Sequence, residues 1–483
     1  MKLSELLANI TKLNPCLDCE IAGMTSDSRN VQKGYVFVCI HGAAADGHDY
    51  ASSALEKGAA AIVCERDLGL KNQIVVSDTH AAYSRMAANF YGNPAKKLRL
   101  IGVTGTKGKT TVTNLIKAIL TTAGKKAGLI GTIQNEIGDR IIPTDKTTPD
   151  ALELESLYAQ MVEAGCEYCV MEVSSHALDQ NRIGDAHYEV AAFTNLSHEH
   201  LDYHGTMEEY YQAKKKLFGI CDSAVVNVDD DWGKRLAGEI TCPVLTFSLR
   251  QEASLKAFDI RHQPDSVDFR YSYEGVESRL HFAMPGDFSV RNALTAMGVC
   301  LALGVCLNTI TGALSEVAGV RGRNEILPTG MDFTVITDYA HSPDSIENIL
   351  TALKETVHGR LIALFGCGGD RDRTKRPLMG AAAAEHADFV YVTSDNPRTE
   401  DPDAIIAEIL PGVENHGTPY AVIPNRKEAI FRAIADAQPG DTIVLCGKGH
   451  EDYQIIGHEK FHFDEREIVA EALEARRAKE AQI

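Results

Sequence analysis

The sequence has no surplus of positive charge: 48 Lys and Arg stand against 67 Asp and Glu, a formal net charge of −19 at pH 7. That balance opposes broad attraction to nucleic acid or to an anionic membrane, so neither is expected as a partner. Any phosphate must then be held by a few basic residues in short loops. Long apolar runs are missing too, and no segment approaches the ~20 residues of a membrane span. Met1–Asn14 carries Leu3, Leu6, Leu7 and Ile10 on one stripe and reads as an amphipathic helix, without the apolar run and cleavage site of a signal peptide. Cysteines are thinly spread, 12 in 483 residues, unlike a disulfide-stapled secreted domain. A reducing, cytoplasmic setting is expected. The pairs Cys16/Cys19 and Cys166/Cys169 lie far apart and lack flanking turn residues, so they read as incidental or buried thiols rather than as a zinc site. No internal repeat or low-complexity tract is present.

What is present is enough chain for about three domains at roughly 150 residues each. Residues 1–96 show short apolar strands at Tyr35–Val38 and Ala60–Val63 between Gly- and Asp-bearing loops, a small α/β module. Residues 97–325 change to strand, Gly-rich loop and helix, followed by apolar strands at Tyr168–Val173, Val190–Thr194 and Ala224–Val228, as in a parallel sheet covered by helices. Residues 326–483 alternate strands at Phe333–Thr337, Leu361–Phe365, Phe389–Thr393 and Thr442–Cys446 with helical stretches, which predicts a Rossmann-like, doubly wound domain. The charged run Glu465–Lys479 reads as a solvated terminal helix.

The chemistry begins at Ile101–Thr111 (IGVTGTKGKTT). Gly105 and Gly108 fall between a strand and a helix starting near Lys109, where backbone N–H groups can face phosphate oxygens. Lys109 supplies a point charge and Thr110 a hydroxyl for Mg²⁺. The spacing departs from the common phosphate loop, which needs glycine where Val103 stands; Gly102 is one place early. Downstream, the strand in Val170–Leu178 ends at Glu172, a candidate ligand for Mg²⁺.

Together with Thr194–Gly205 (TNLSHEHLDYHG) and Tyr210–Lys214 (YYQAK), this loop resembles the Mur ligase family. Asp338–Pro343 (DYAHSP), Gly366–Asp372 (GCGGDRD), Asp395–Arg398 (DNPR) and Gly447–Glu451 (GKGHE) extend the likeness to the branch that adds diaminopimelate. The resemblance implies a three-domain α/β ligase that uses ATP and Mg²⁺. It would join meso-2,6-diaminopimelate to the D-Glu carboxylate of UDP-N-acetylmuramoyl-L-Ala-D-Glu through an acyl phosphate, as a monomer. On it, Lys109, Glu172, His200 and Lys214 are the catalytic set. Thr110, Glu172, His200 and Lys214 hold metal, with Lys214 carbamylated into an anionic oxygen donor. ATP contacts fall at Gly105, Thr106, Lys107, Gly108, Lys109, Thr110, Thr111, Asn292, Arg323, Asp338 and His341. Ser28 in SDSR, Thr147, Thr148, Ser174, Gln180 and Arg182 face the UDP-linked substrate, with a turn at Gly47 and His48 beside it. The stretch His41–Asp46 ahead of that turn is longer than the family's usual form.

The incoming amino acid is assigned to Arg371, Asp395, Asn396, Pro397, Arg398, Gly447 and Glu451. Diaminopimelate differs from lysine by a distal carboxylate, and the planar fork of Arg398 suits that group, while Glu451 receives the distal ammonium. The Gly366–Gly369 run, by itself, is also compatible with a weak dinucleotide loop. Three other readings remain open from sequence: the same reaction with L-lysine, glutamate addition to a folate, or a phosphate-loop ATPase that switches or binds without ligating.

Overall fold

A computed structural model describes residues 1–42, 45–354 and 356–480. It has three α/β domains, each around its own sheet. They fall into two compact units, one made of 1–256 with 294–310 and the other of 257–293 with the chain from 311 onward.

In the first unit, the N-terminal sheet is parallel and in chain order: Gly23–Thr25, Tyr35–Val38, Ala61–Cys64 and Gln73–Val75. Its core includes Leu3, Leu6, Leu7, Val36, Val38, Val63 and Met86. The leucine stripe is therefore buried, but the helix expected over Met1–Asn14 is a single turn, Leu3–Leu6. The cause lies far along the chain: Asn89 Nδ2 donates to the carbonyls of Leu6 and Ala8, at 2.9 and 3.0 Å, and Asn9 turns the chain at φ 62°. Ala151 and Leu152 of the next domain enter this core, and Arg85 pairs with Asp185, so the first two domains are packed together. In the loop 41–46, residues 43 and 44 lie outside the described residues.

The central sheet of this unit runs Val244–Ser248, Cys221–Asn227, Tyr188–Phe193, Arg99–Thr104, Tyr168–Glu172 and Ala127–Ile130, all parallel, then the antiparallel Asn135–Ile137 and Arg140–Ile142. The strand Arg99–Thr104 is central because both faces are covered, which its continuous apolar run requires. Register pairs Val103 with Glu172 and Thr104 with Phe193, so the loops that follow all three strands leave the same edge of the sheet. Ligands bind at such carboxyl edges, where neighbouring strands lead their loops apart. Gly102, the misplaced glycine, is a packing residue: a Cβ there would come within 2.9 Å of the Tyr188 ring.

The second unit holds the hairpin Val267–Tyr273 and Val276–Phe282, and the sheet Glu325–Leu327, Thr334–Asp338, Thr442–Cys446, Leu361–Phe365, Phe389–Val392 and Tyr420–Val422, parallel except at its first strand. Leu361, Ala363 and Phe365 pack on one face with Pro343–Lys354, Lys375–His386 and Pro402–Glu414, while Ile362 and Leu364 pack on the other with Arg426–Asp436 and Glu465–Glu480. This alternation is the doubly wound arrangement. The last helix is not simply solvated: Ile468, Val469, Ala472 and Leu473 are core, and Glu465 is fully buried. Glu465 accepts from Arg426 Nε at 2.8 Å and from the Thr337 hydroxyl at 2.8 Å, while Arg426 Nη2 donates to the carbonyl of Cys446 at 2.8 Å. Cutting one side of a buried pair strands the other charge. Arg426→Met is therefore expected to cost about 3–5 kcal/mol, read as a lower urea midpoint at unchanged slope.

Candidate active site

Gly105 leaves the central strand at φ 143°, and a Cβ there would collide with Thr194 Oγ1, so only glycine fits. The following loop is clamped by Asn195: Thr106 N–H donates to its carbonyl at 2.8 Å, Lys107 N–H to its Oδ1 at 3.0 Å, and its Nδ2 to Lys107 O at 3.1 Å. Two loop N–H groups expected to face phosphate are thus turned to Asn195. Those of the first turn of Lys109–Thr122 remain outside the intrahelical ladder. Lys109 Nζ folds back to Gly105 O (3.0 Å) and Thr106 O (2.9 Å). Thr111 is buried beneath the turn, and Lys107 Nζ lies 3.3 Å from Glu199.

Thr110 Oγ1 donates to Glu172 Oε2 at 3.0 Å. Glu172 is 1% exposed and also accepts from Thr132 N–H at 2.8 Å and Thr132 Oγ1 at 3.0 Å. Those three donors are all neutral. A buried carboxylate supported only by neutral donors is suited to a cation brought from outside. Lys214 reaches the same spot from the helix Met207–Lys215. It is 2% exposed, stands 4.5 Å over the Tyr210 ring, and donates to Gly105 O at 2.9 Å, the carbonyl that Lys109 also uses. Burial, with the Lys109 charge added, holds its amine well below the usual lysine range. His200 is exposed at φ 58°, with its ring 6.0 Å from that of Tyr210 and 5.0 Å from that of His176. Tyr210 ties the group together through its hydroxyl, 3.2 Å from Thr106 Oγ1.

Next to Glu172 lies a second network. Thr148 Oγ1 donates to Glu172 O at 2.9 Å and accepts from Ser174 N–H at 3.0 Å. Arg182 donates to Thr148 O at 3.0 Å and to Gln180 Oε1 at 2.9 and 2.7 Å. Thr147 Oγ1 is 3.0 Å from Thr132 Oγ1. Five of the six residues assigned to the UDP-linked substrate are therefore contiguous. Ser28 stands in the first domain, its carbonyl held by Lys57 Nζ at 2.7 Å. His48, in the turn Gly47–Tyr50, is inside that domain: Nδ1 donates to Asp46 at 2.6 Å and Nε2 accepts from Glu65 N–H at 3.0 Å.

In the second unit, the loops after Leu361–Phe365, Phe389–Val392 and Thr442–Cys446 converge. A Cβ at Gly369 would strike the carbonyl of Pro397, so glycine there lets Asp395–Arg398 lie against the loop. Arg398 is held at φ 50°, its N–H on Ile455 O (3.1 Å) and its carbonyl accepting from Gly457 N–H (2.7 Å). Its Nη1 donates to Gly369 O at 2.8 Å. Among the described residues the Nε–Nη2 edge has no acceptor. Asn396 Nδ2 donates to Glu451 Oε2 at 2.8 Å, and Gly447 N–H to Asp338 O at 3.0 Å. Arg371 is exposed beside Asp370. Of the second-unit residues assigned to ATP, Arg323 lies 4.9 Å over the Tyr339 ring, Asp338 accepts from Asn324 N–H at 2.7 Å, and His341 Nδ1 is 2.7 Å from Tyr339 O; Asn292 is buried.

Three family models match the chain in order: Mur ligase family, catalytic domain, at 20–91; Mur ligase middle domain at 103–300; and Mur ligase, glutamate ligase domain, at 322–449. The chain belongs to the Mur ligase family. A relative in Caldanaerobacter subterraneus subsp. tengcongensis, named UDP-N-acetylmuramoyl-L-alanyl-D-glutamate–2,6-diaminopimelate ligase, is 47% identical over 98% of this chain and 99% of its own. One of the same name in Syntrophomonas wolfei is 45% identical over 98% and 99%. A solved structure of a UDP-N-acetylmuramoyl-L-alanyl-D-glutamate–2,6-diaminopimelate ligase superposes with TM-score 0.72 at 33% identity, covering 99% of both chains.

For a Mur ligase, several residues that shape this site have little individual signal in the sequence. Thr132, which braces Glu172, lies in an unremarkable turn. Asn195 and Tyr210 sit inside family-like segments, but their clamping roles need the fold. Lys448, fully buried between Asn396 and Glu451, was visible only as a letter in GKGHE. No helix among the described residues is long and apolar enough to cross a membrane.

Proposed function

We propose that this Mur ligase joins meso-2,6-diaminopimelate to the D-Glu carboxylate of UDP-N-acetylmuramoyl-L-Ala-D-Glu at the expense of ATP, in the cytoplasm and as a monomer, with no nucleic-acid or membrane partner. The substrate carboxylate attacks the γ-phosphorus, ADP leaves, and the acyl phosphate is then attacked by the amine. Phosphate departs from the tetrahedral intermediate as the nitrogen loses its proton. Both steps gather negative charge, so the protein's work is positioning and neutralisation, without a nucleophile of its own. The observation that carries this reading is the convergence of Lys109 and Lys214 on one carbonyl, Gly105 O, next to the Thr110–Glu172 pair.

Residues 1–96 bind the UDP end through Ser28, 97–325 the ATP, and 326–483 the amino acid. Lys109 and the first helical turn hold the terminal phosphates, with Asn292, Arg323, Asp338 and His341 completing the ATP contacts. Arg182, Gln180, Ser174 and the two threonines contact the UDP-linked dipeptide near its reacting carboxylate. Thr110, Glu172, His200 and carbamylated Lys214 would hold Mg²⁺, which supplies charge neutralisation at the transferring phosphoryl group. Only a free amine adds CO₂, giving a carbamate and a proton. Lys214 meets that need because its burial disfavours the ammonium.

The test is ADP release from the whole protein with Mg²⁺, ATP and the UDP-linked dipeptide, adding meso-diaminopimelate, L-lysine or neither. Turnover only with diaminopimelate, and a product of matching mass, supports the proposal. Turnover with lysine would reassign the amino acid, and equal turnover with neither would favour a switch.

A further inference from the structure

A fully buried ammonium is costly unless it is paired, and both hydrogen-bond partners of Lys448 belong to the amino-acid pocket. Lys448 Nζ donates to Glu451 Oε2 at 3.1 Å and to Asn396 Oδ1 at 3.2 Å. The Asn396 amide is fixed by its neighbours. Its Oδ1 also accepts from Ile455 N–H at 2.9 Å, and its Nδ2 donates to the same Glu451 Oε2 at 2.8 Å. Two donors thus share one carboxylate oxygen, and among the described residues Oε1 of Glu451 has no donor. The rings of Tyr453 and Phe463 flank the ammonium at 5.6 and 5.7 Å and keep it dry.

We propose that Lys448 is a positioning residue that sets amino-acid specificity: it engages one oxygen of Glu451 and fixes that side chain, so that the other oxygen accepts the distal ammonium of the incoming diamino acid. This rests on the reading of Asn396 and Glu451 as pocket residues. A carboxylate has lone pairs for both cations, whereas a neutral carboxylic acid offers an ammonium far less. The groups facing Glu451 are Lys448, Asp395, Asn396 and Tyr339. Burial, with Asp395 added, holds its carboxyl above the usual glutamate range, and Lys448 and Asn396 limit that rise. Without the lysine, Glu451 is left a buried acid beside another acid.

The probe is 2-aminopimelate, which keeps both carboxylates of diaminopimelate and lacks only the distal amine. In the whole enzyme, Lys448→Gln and Lys448→Met should raise the KM for diaminopimelate by about 30-fold or more, the loss typical of truncating a buried charge partner. The kcat/KM for 2-aminopimelate should fall by a much smaller factor, because that substrate has no distal ammonium for Glu451 to receive. The preference for the diamino acid therefore collapses. In both variants the kcat/KM for diaminopimelate should recover as pH rises, because a raised carboxyl is ionised only at higher pH. In a Glu451→Gln background, Lys448→Gln should cause no further loss of preference. The unmodified enzyme supplies the reference: its preference for the diamino acid should persist to lower pH than that of either Lys448 variant. A preference that falls at the same pH with and without Lys448 overturns the proposal, as does a folded Lys448→Gln enzyme that loses both amino acids equally or neither. A wild-type enzyme that uses the two amino acids equally overturns the pocket reading underneath, and the proposal with it.

Discussion

Lys214→Met is expected to lower kcat by about a thousandfold or more, the scale of losing a central electrostatic element of a transition state. The substitution keeps the length and apolar stem of a side chain that is already buried against Tyr210, so a fall in turnover at unchanged melting temperature separates chemistry from packing. Two roles converge on this residue. As an amine it braces Gly105 O at the start of the phosphate loop; as the proposed carbamate it would be an anionic oxygen donor beside that loop. CO₂ dependence discriminates between them. If the carbamate is required, enzyme prepared without CO₂ should be slow and should recover with bicarbonate, and intact mass should show one added CO₂ that Lys214→Met cannot carry. The sign with pH follows from the depressed amine: burial favours the free base, so recovery should need less alkaline buffer than carbamylation of an exposed lysine. A variant that keeps turnover within tenfold would leave Lys214 only as a brace.

Arg398→Leu is expected to raise the KM for diaminopimelate by about a hundredfold or more while leaving that for ATP near its original value. The guanidinium is anchored on one side by Gly369 O and its backbone is held at φ 50° by Ile455 and Gly457, so its remaining edge is aimed before any ligand arrives. A site preorganised in this way loses most when the fork is removed. The comparison with L-lysine is decisive. Lysine has no distal carboxylate to leave behind, so the ratio of kcat/KM values for the two amino acids should narrow sharply. An unchanged ratio would move the selection for diaminopimelate away from Arg398.

The sequence makes the scaffold readable wherever burial is two-sided, because such strands are unbroken apolar runs. Tyr35–Val38, Leu361–Phe365 and Thr442–Cys446 fall where their composition puts them, and the helix after the phosphate loop starts at Lys109. What cannot be read are decisions made by distant residues. The N-terminal stripe has the period of a long helix, but its carbonyls are taken by Asn89, more than eighty residues away. The terminal helix has a charged composition, yet its first carboxylate is buried by a guanidinium from another helix. Motif residues such as Glu172 and Lys214 were visible as letters, but that Lys214 shares a carbonyl with Lys109 is a property of the sheet order that brings their loops to one edge. Gly102, Gly366 and Gly369 belong to the same class: each lies against a ring or a carbonyl whose approach only the fold determines.

The Arg426–Glu465 pair also limits how the chain can be shortened. Its guanidinium grips the carbonyl of Cys446, the residue just before Gly447, so the final helix works as a doorstop behind the proposed amino-acid pocket. Cutting the chain ahead of Glu465 would remove far more than a tail. It would leave a cation in a dry core and release the strand end from which the pocket loop springs, so a trimmed version should lose its grip on diaminopimelate before it loses its phosphate loop.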